Sequence, residues 1–136
     1  MGLGFHPVPK SRSGLSRHQE AVAADLAREQ HWRAVCRAVE ERDGDVCRIC
    51  GRRCVFTKAK TRAEKADPHH VIFQSANGPD ETWNVAKLCR DCHDEVHVHR
   101  RLMVSGNADE RTELGKLGGL RVERLTDAGW TVVGMR

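Results

Sequence analysis

Asn84-Val85-Ala86-Lys87-Leu88-Cys89-Arg90-Asp91-Cys92-His93-Asp94-Glu95-Val96-His97 is the stretch that decides the fold. It joins a Cys-x-x-Cys pair to two histidines four residues apart. Cys92 to His97 is expected to be helical, so His93 and His97 share one helix face and can chelate one cation. Two residues between thiols let a tight turn present both sulfurs to one ion. Working outward, the pair Cys89 and Cys92 has a counterpart in Cys47 and Cys50, with 38 residues between the two pairs. Arg48 and Ile49 fill the first turn and Gly51 follows it.

Two such knuckles closing on one zinc ion make a cross-link for a chain whose residues are only 4% aromatic and include no tyrosine. The competing reading of the pairs is a redox dithiol. The long insertion excludes a simple zinc ribbon. Cys54 fits a ligand position less well, and Cys36, at helical spacing from Trp32, reads as a small core residue.

Five of the eight histidines fall between positions 69 and 99. His69 and His70 stand in Pro68-His69-His70-Val71-Ile72-Phe73, which reads as a strand. Adjacent strand residues point to opposite faces, so a regular strand separates these two imidazoles. A bend at Pro68 or a bulge is expected if both are to serve one phosphate. One of the pair can then hold metal while the other stays free as a base.

The bulk properties set the frame. The 136 residues suit one compact domain or a small core with helical extensions. The formal charge of +4 is mild. Its distribution is less so: Arg48, Arg52, Arg53, Lys58, Lys60, Arg62 and Lys65 face a single acid, Glu64, between positions 48 and 65. Such a surplus suits phosphate backbones or a solubilising surface. No apolar run approaches the roughly 20 residues that span a bilayer. Met1 to Pro9 has neither the charged start nor the apolar centre of a signal peptide, which predicts a cytoplasmic protein.

Residues 1–15, rich in Gly, Pro and Ser, read as a flexible leader. A helix is expected over 16–43, opened by the capping box Ser16-Arg17-His18-Gln19 and ended by Asp43-Gly44. Val22, Leu26, Trp32, Val35, Cys36 and Val39 form its packing stripe. Residues 44–107 carry the chemistry. Arg101 to Val104 suits a short strand. Residues 108–136 read as a helix followed by a strand: Asn107 and Glu110 give a second capping signature. Leu114, Leu117, Arg121/Val122 and Leu125 keep helical spacing despite three glycines, and Trp130 to Val133 suits the strand.

The order Asp67-Pro68-His69-His70-Val71, Ser75-Ala76-Asn77-Gly78-Pro79-Asp80, Asn84 to Cys89, then Cys92-His93 with His97 resembles the HNH endonuclease family. The likeness is to its zinc-knuckle form, common in bacteria and bacteriophages. It runs from Cys47 to Asn107, about 60 residues, and is most specific from Asn84 to His97. The resemblance implies an α+β fold: a small ββα-metal core stapled by a four-cysteine zinc, with the N-terminal helix and C-terminal helix–strand extension added.

It also implies roles. His70 matches the general base, His69 and His93 the metal ligands, and His97 the further ligand of three-histidine members. Asn84 matches the residue that fixes the loop and orients the base. Cys47, Cys50, Cys89 and Cys92 match the structural Zn²⁺ ligands. Many relatives have Arg-Ser-x-Gly-Gly after the His-His strand; here Gln74-Ser75-Ala76-Asn77-Gly78 lacks that arginine, and Val85 replaces a usual Leu.

The expectation is therefore a metal-dependent DNA endonuclease of a bacterial or phage-infected cell. Arg52, Arg53, Lys58 and Lys60 would hold the backbone, and Mg²⁺, Mn²⁺, Ni²⁺ or Zn²⁺ would serve as the catalytic ion. Phage packaging or restriction partners, and a monomer or homodimer, are compatible with it. The alternative is a non-catalytic zinc-knuckle module that binds nucleic acid.

Overall fold

The computed structural model describes residue 4, residues 14–110 and residues 117–133. Helix α1 (Arg17–Asp43) leads, followed by strand β1 (Ala66–His70), strand β2 (Val85–Cys89) and helix α2 (Arg90–His97). Strands β3 (Leu102–Gly106), β4 (Leu120–Thr126) and β5 (Gly129–Val132) complete the order. Among the described residues, no helix is long and apolar enough to cross a membrane. The leader expected at 1–15 lies almost wholly outside the described residues.

The capping box opens α1 as expected: Gln19 N–H donates to Ser16 Oγ at 3.2 Å, and Ser16 N–H donates to Gln19 Oε1 at 3.0 Å. These two bonds satisfy donors that the first turn leaves free. Among the described residues, the packing of α1 comes from its C-terminal half. Val35 and Val39 are buried against Val85, with Trp32 beside them, while Val22 and Leu26 of the expected stripe stay exposed. At the far end Gly44 N–H closes the helix on Glu40 O.

β1 and β2 form an antiparallel pair whose register runs without interruption from Ala66↔Cys89 to His70↔Val85. Opposed residues share a face. His70, Val85, Pro68 and Lys87 therefore lie toward α1, and His69, Ala86, Asp67 and Leu88 toward α2. The hairpin is a middle layer: α1 covers one face, and α2 covers the other through Val96. The connection from β1 to β2 is held by Gly78, where a Cβ would fall 1.7 Å from Ile72 O. Any other residue there would push the loop off the strand end.

The C-terminal region departs from expectation. β3, β4 and β5 make a three-stranded antiparallel sheet, so residues 120–126 are strand where helical spacing predicted helix. Residues 111–116, the rest of the expected helix, lie outside the described residues. Leu120 and Val122 are buried at a spacing of two, and pairing with 102–106 supplies backbone partners that an isolated helix reading ignores.

A buried charge network ties the layers. Asp43 accepts from Arg42 Nε at 2.7 Å, Arg48 Nη1 at 2.8 Å and the Lys87 backbone N–H at 3.1 Å. Arg48 also donates to Ala108 O and Leu117 O, and Arg42 to Thr82 O and Val85 O. Burial alone would raise the Asp43 carboxyl, but the hydrogen bonds and charges of Arg42 and Arg48 hold it below the usual carboxylate range.

Candidate metal centres and the histidine cavity

Four sulfurs converge where the two knuckles meet. Cys47, Cys50, Cys89 and Cys92 place their Sγ atoms within 4.8 Å of one another, and Cys50 Sγ lies 3.6 Å from Cys89 Sγ. Zinc–sulfur bonds of about 2.3 Å give a tetrahedron with edges of roughly 3.8 Å. The donor set therefore fits such an ion. Gly51, at φ 73°, makes the first knuckle's turn, a conformation that costs a side-chain-bearing residue.

Backbone N–H groups of Ile49, Arg52 and Cys92 donate to the sulfurs of Cys47, Cys50 and Cys89 at 3.4–3.5 Å. Such donors favour thiolates. Thiols this close cannot all ionise unless a cation sits among them. Hydrogen bonding from Cys89 and Cys92 drives Cys47 far down, and the contact with Cys47 pushes Cys89 up to about 12. Cys54 is buried nearby but outside the set, its thiol pushed up to about 12 by burial.

A second set forms on the α2 face of the hairpin. His69, from β1, meets His93 and His97, one turn apart on α2, with one ring nitrogen of each within 4.8 Å of the others. His97 Nε2 stands 3.3 Å from His69 Nδ1. That matches the roughly 3.3 Å edge of a tetrahedron with metal–nitrogen bonds of 2.0–2.1 Å. His69 is 1% exposed, and its Nε2 has no hydrogen-bond partner among the described residues. Burial, then the neighbouring His97, His93 and His70, push its pKa down to about 3, so it stays neutral and able to ligate. Burial also lowers His93, against the raising effect of Asp67. Asp67, whose carboxylate accepts from Arg90 at 3.1 Å, lies 3.8 Å from His93 Nδ1 and is a supporting residue that sequence reasoning passed over.

His70 leaves the strand on the other face. No bulge is present; the regular register separates the two rings, and the expected bend is not needed. Among the described strands β1 pairs only with β2, and beyond Ala66, which donates to Val55 O, its other edge meets no strand. There Pro68, His70, Phe73, Gln74, His93 and His97 line one cavity of about 400 Å³. His70 thus shares a cavity with two members of the cluster without belonging to it.

Its surroundings include two residues that the motif spacing does not reveal. His70 Nε2 lies 2.7 Å from Asp80 Oδ1, and the Trp32 indole stacks on the imidazole at 5.1 Å and 12°. Asn84, fully buried, clasps the loop. Its Oδ1 accepts from Ile72 N–H at 2.7 Å, and its Nδ2 donates to Ile72 O at 3.1 Å and Pro79 O at 3.0 Å.

The basic residues are less uniform than their sequence cluster implies. Arg48 is buried in the Asp43 network and is no surface charge. Arg52 pairs with Asp91 at 2.6 Å, and Arg53 lies 3.8 Å from Glu64. Lys58 and Lys60 are exposed. None of Arg52, Arg53, Lys58 and Lys60 lines the histidine cavity.

A strand pair and helix that hold three histidines beside a fourth, joined to a four-cysteine cluster, define the ββα-metal class. Residues 47–99 match the HNH endonuclease family, and this segment is an HNH endonuclease domain. Over 46 residues the chain is 39% identical to an uncharacterized 38.5 kDa protein in psbA intron 1 of Chlamydomonas moewusii. That likeness takes in 34% of this chain and 13% of that protein, so the chain spans only a small part of its relative.

Proposed function

We propose that this chain is a metal-dependent DNA endonuclease using one ion and a histidine base. The carrying observation is the placement of the histidines: three bring ring nitrogens within 4.8 Å of one another, and a fourth, outside that set, lines the cavity that His93 and His97 border. His69, His93 and His97 would hold the divalent ion, and Cys47, Cys50, Cys89 and Cys92 a structural zinc. A bound ion would supply charge stabilisation at the scissile phosphate.

The protein's own groups do the rest. His70 takes a proton from the attacking water, a general-base task that needs one ring nitrogen with a free lone pair. It must keep a lone pair, which is why its separation from the cluster matters. Asn84 fixes the loop that follows His70 at the end of β1. Backbone phosphates on either side would be held by Lys58 and Lys60, with Arg52 and Arg53 contributing from within their ion pairs.

Plasmid nicking with Mg²⁺, Mn²⁺ or Ni²⁺, against an EDTA control, is the direct test. His70→Ala should lower the rate by about 10²–10⁴-fold while zinc content and thermal melting stay as in the wild type. Wild-type rates in that variant would remove His70 from the mechanism. Absence of nicking with every ion would leave a nucleic-acid-binding module.

A further inference from the structure

We propose that Asp80 and Trp32 are positioning residues for the general base, so that the active site extends beyond the matched segment and is incomplete without α1. The inference rests on the reading of His70 as the base.

Asp80 addresses the tautomer. An ionised carboxylate can only accept, so a ring nitrogen 2.7 Å from Asp80 Oδ1 carries the hydrogen. Nε2 is that nitrogen, which leaves Nδ1 with its lone pair. Among the described residues nothing else hydrogen-bonds to the ring, and the imidazole borders the cavity. Gln74 Nε2 donates to the same carboxylate oxygen at 3.4 Å. The backbone beneath Asp80 is held from two sides. Asn84 binds Pro79 O, and His31 Nε2, from α1, meets Asp80 O at 2.7 Å.

Trp32 addresses the orientation. One hydrogen bond at a ring edge still lets an imidazole swing about that contact. A near-parallel indole against its face removes this freedom. Trp32 is itself set by the packing of Val35 and Val39 on Val85, the residue opposite His70 in the strand pair. The same half of α1 that packs on the hairpin therefore delivers both His31 and Trp32. Trp32 meets the histidine that lines the cavity beside His93 and His97 without belonging to their cluster.

The test uses the full chain, loaded with metal. Asp80→Asn keeps volume but can offer an N–H to Nε2, favouring the other tautomer; kcat on a duplex oligonucleotide should fall by about 10²-fold with KM nearly unchanged. Asp80→Glu should recover part of the loss. Trp32→Leu should lower kcat in the folded protein, and Trp32→Phe, which keeps a flat ring, should restore most of it. Nitrogen-15 NMR of the zinc-loaded protein should show His70 as the Nε2–H tautomer, and a mixture in Asp80→Asn.

Unchanged kcat in both Asp80→Asn and Trp32→Leu, with His70→Ala inactive, would overturn the inference and spare the base assignment. An active His70→Ala would remove the base assignment itself, and the inference with it. If Trp32→Leu does not fold, Asp80→Asn and the tautomer spectrum decide.

Discussion

The four-cysteine and three-histidine clusters stand on the same small hairpin, yet they are built on opposite plans. Three of the four cysteines are buried in the main hydrophobic cluster, their donors come from two turns, and backbone N–H groups already support the sulfurs. Four thiolates complete a tetrahedron and leave no position for a substrate. The histidine set draws one donor from a strand and two from a helix, and opens on a cavity bordered by a further histidine. Three protein ligands leave a position for water or phosphate. Closure of the ligand set, more than ligand identity, would separate a centre that builds from one that reacts.

The largest expected effect breaks this contrast directly. Cys47→Ala should abolish zinc binding and the cooperative melt together. Structural zinc contributes roughly 10–16 kcal/mol in isolated zinc-finger peptides, comparable with or larger than the roughly 5–15 kcal/mol that holds a typical domain folded. Metal content and circular dichroism read both. His93→Ala, by comparison, should keep zinc and fold and lose nicking. A folded, zinc-free Cys47→Ala protein would erase the distinction between the clusters.

Both clusters were legible because chelation is local. Cys-x-x-Cys and the His93–His97 spacing bring donors together through a single turn of chain, and Ser16 with Gln19 does the same for a helix start. Contacts set by the layers were not. Trp32 meets His70 only because α1 lies over that face of the hairpin, and neither residue has a partner in its own window of sequence. Arg48 illustrates the same gap: within the knuckle it reads as a surface charge, whereas Asp43, five residues earlier, takes it into the interior. At 120–126 the apolar positions fit a spacing of two as well as one of three or four. Pairing with β3, invisible in that segment, selects the strand.

An intermediate effect should fall on the Asp43 network, which touches the knuckle side and leaves the histidine cavity alone. Asp43→Ala removes the buried carboxylate that both Arg42 Nε and Arg48 Nη1 meet, a change that costs about 3–5 kcal/mol. Urea denaturation should show a lower midpoint with an unchanged slope, while nicking by the folded protein persists. The same network predicts an acid limb. The Asp43 pKa is lower folded than unfolded, so the unfolded state binds the extra proton and stability falls as pH drops below the ordinary aspartate value of ~3.9. Above that value the contribution is fully present. Asp43→Asn should flatten this limb; an unaltered limb would mean that other carboxylates or histidines govern acid unfolding.

The smallest expected effect sharpens the contrast on the basic side of the knuckle, which is proposed to hold DNA. Arg52 already gives its charge to Asp91 at 2.6 Å, whereas Lys58 has no acidic partner among the described residues. A cation that neutralises a phosphate releases a counterion, so each such contact adds about 0.9 to the slope of log affinity against log salt. Lys58→Ala should reduce that slope by nearly this amount, as read by fluorescence anisotropy on a metal-free duplex between low and moderate salt. Arg52→Ala should reduce it by less than half as much, because binding a phosphate would first require Arg52 to part from Asp91. Equal reductions would show that the Arg52–Asp91 pair opens freely on DNA, and the knuckle would then contribute two phosphate contacts where its ion pair now argues for one.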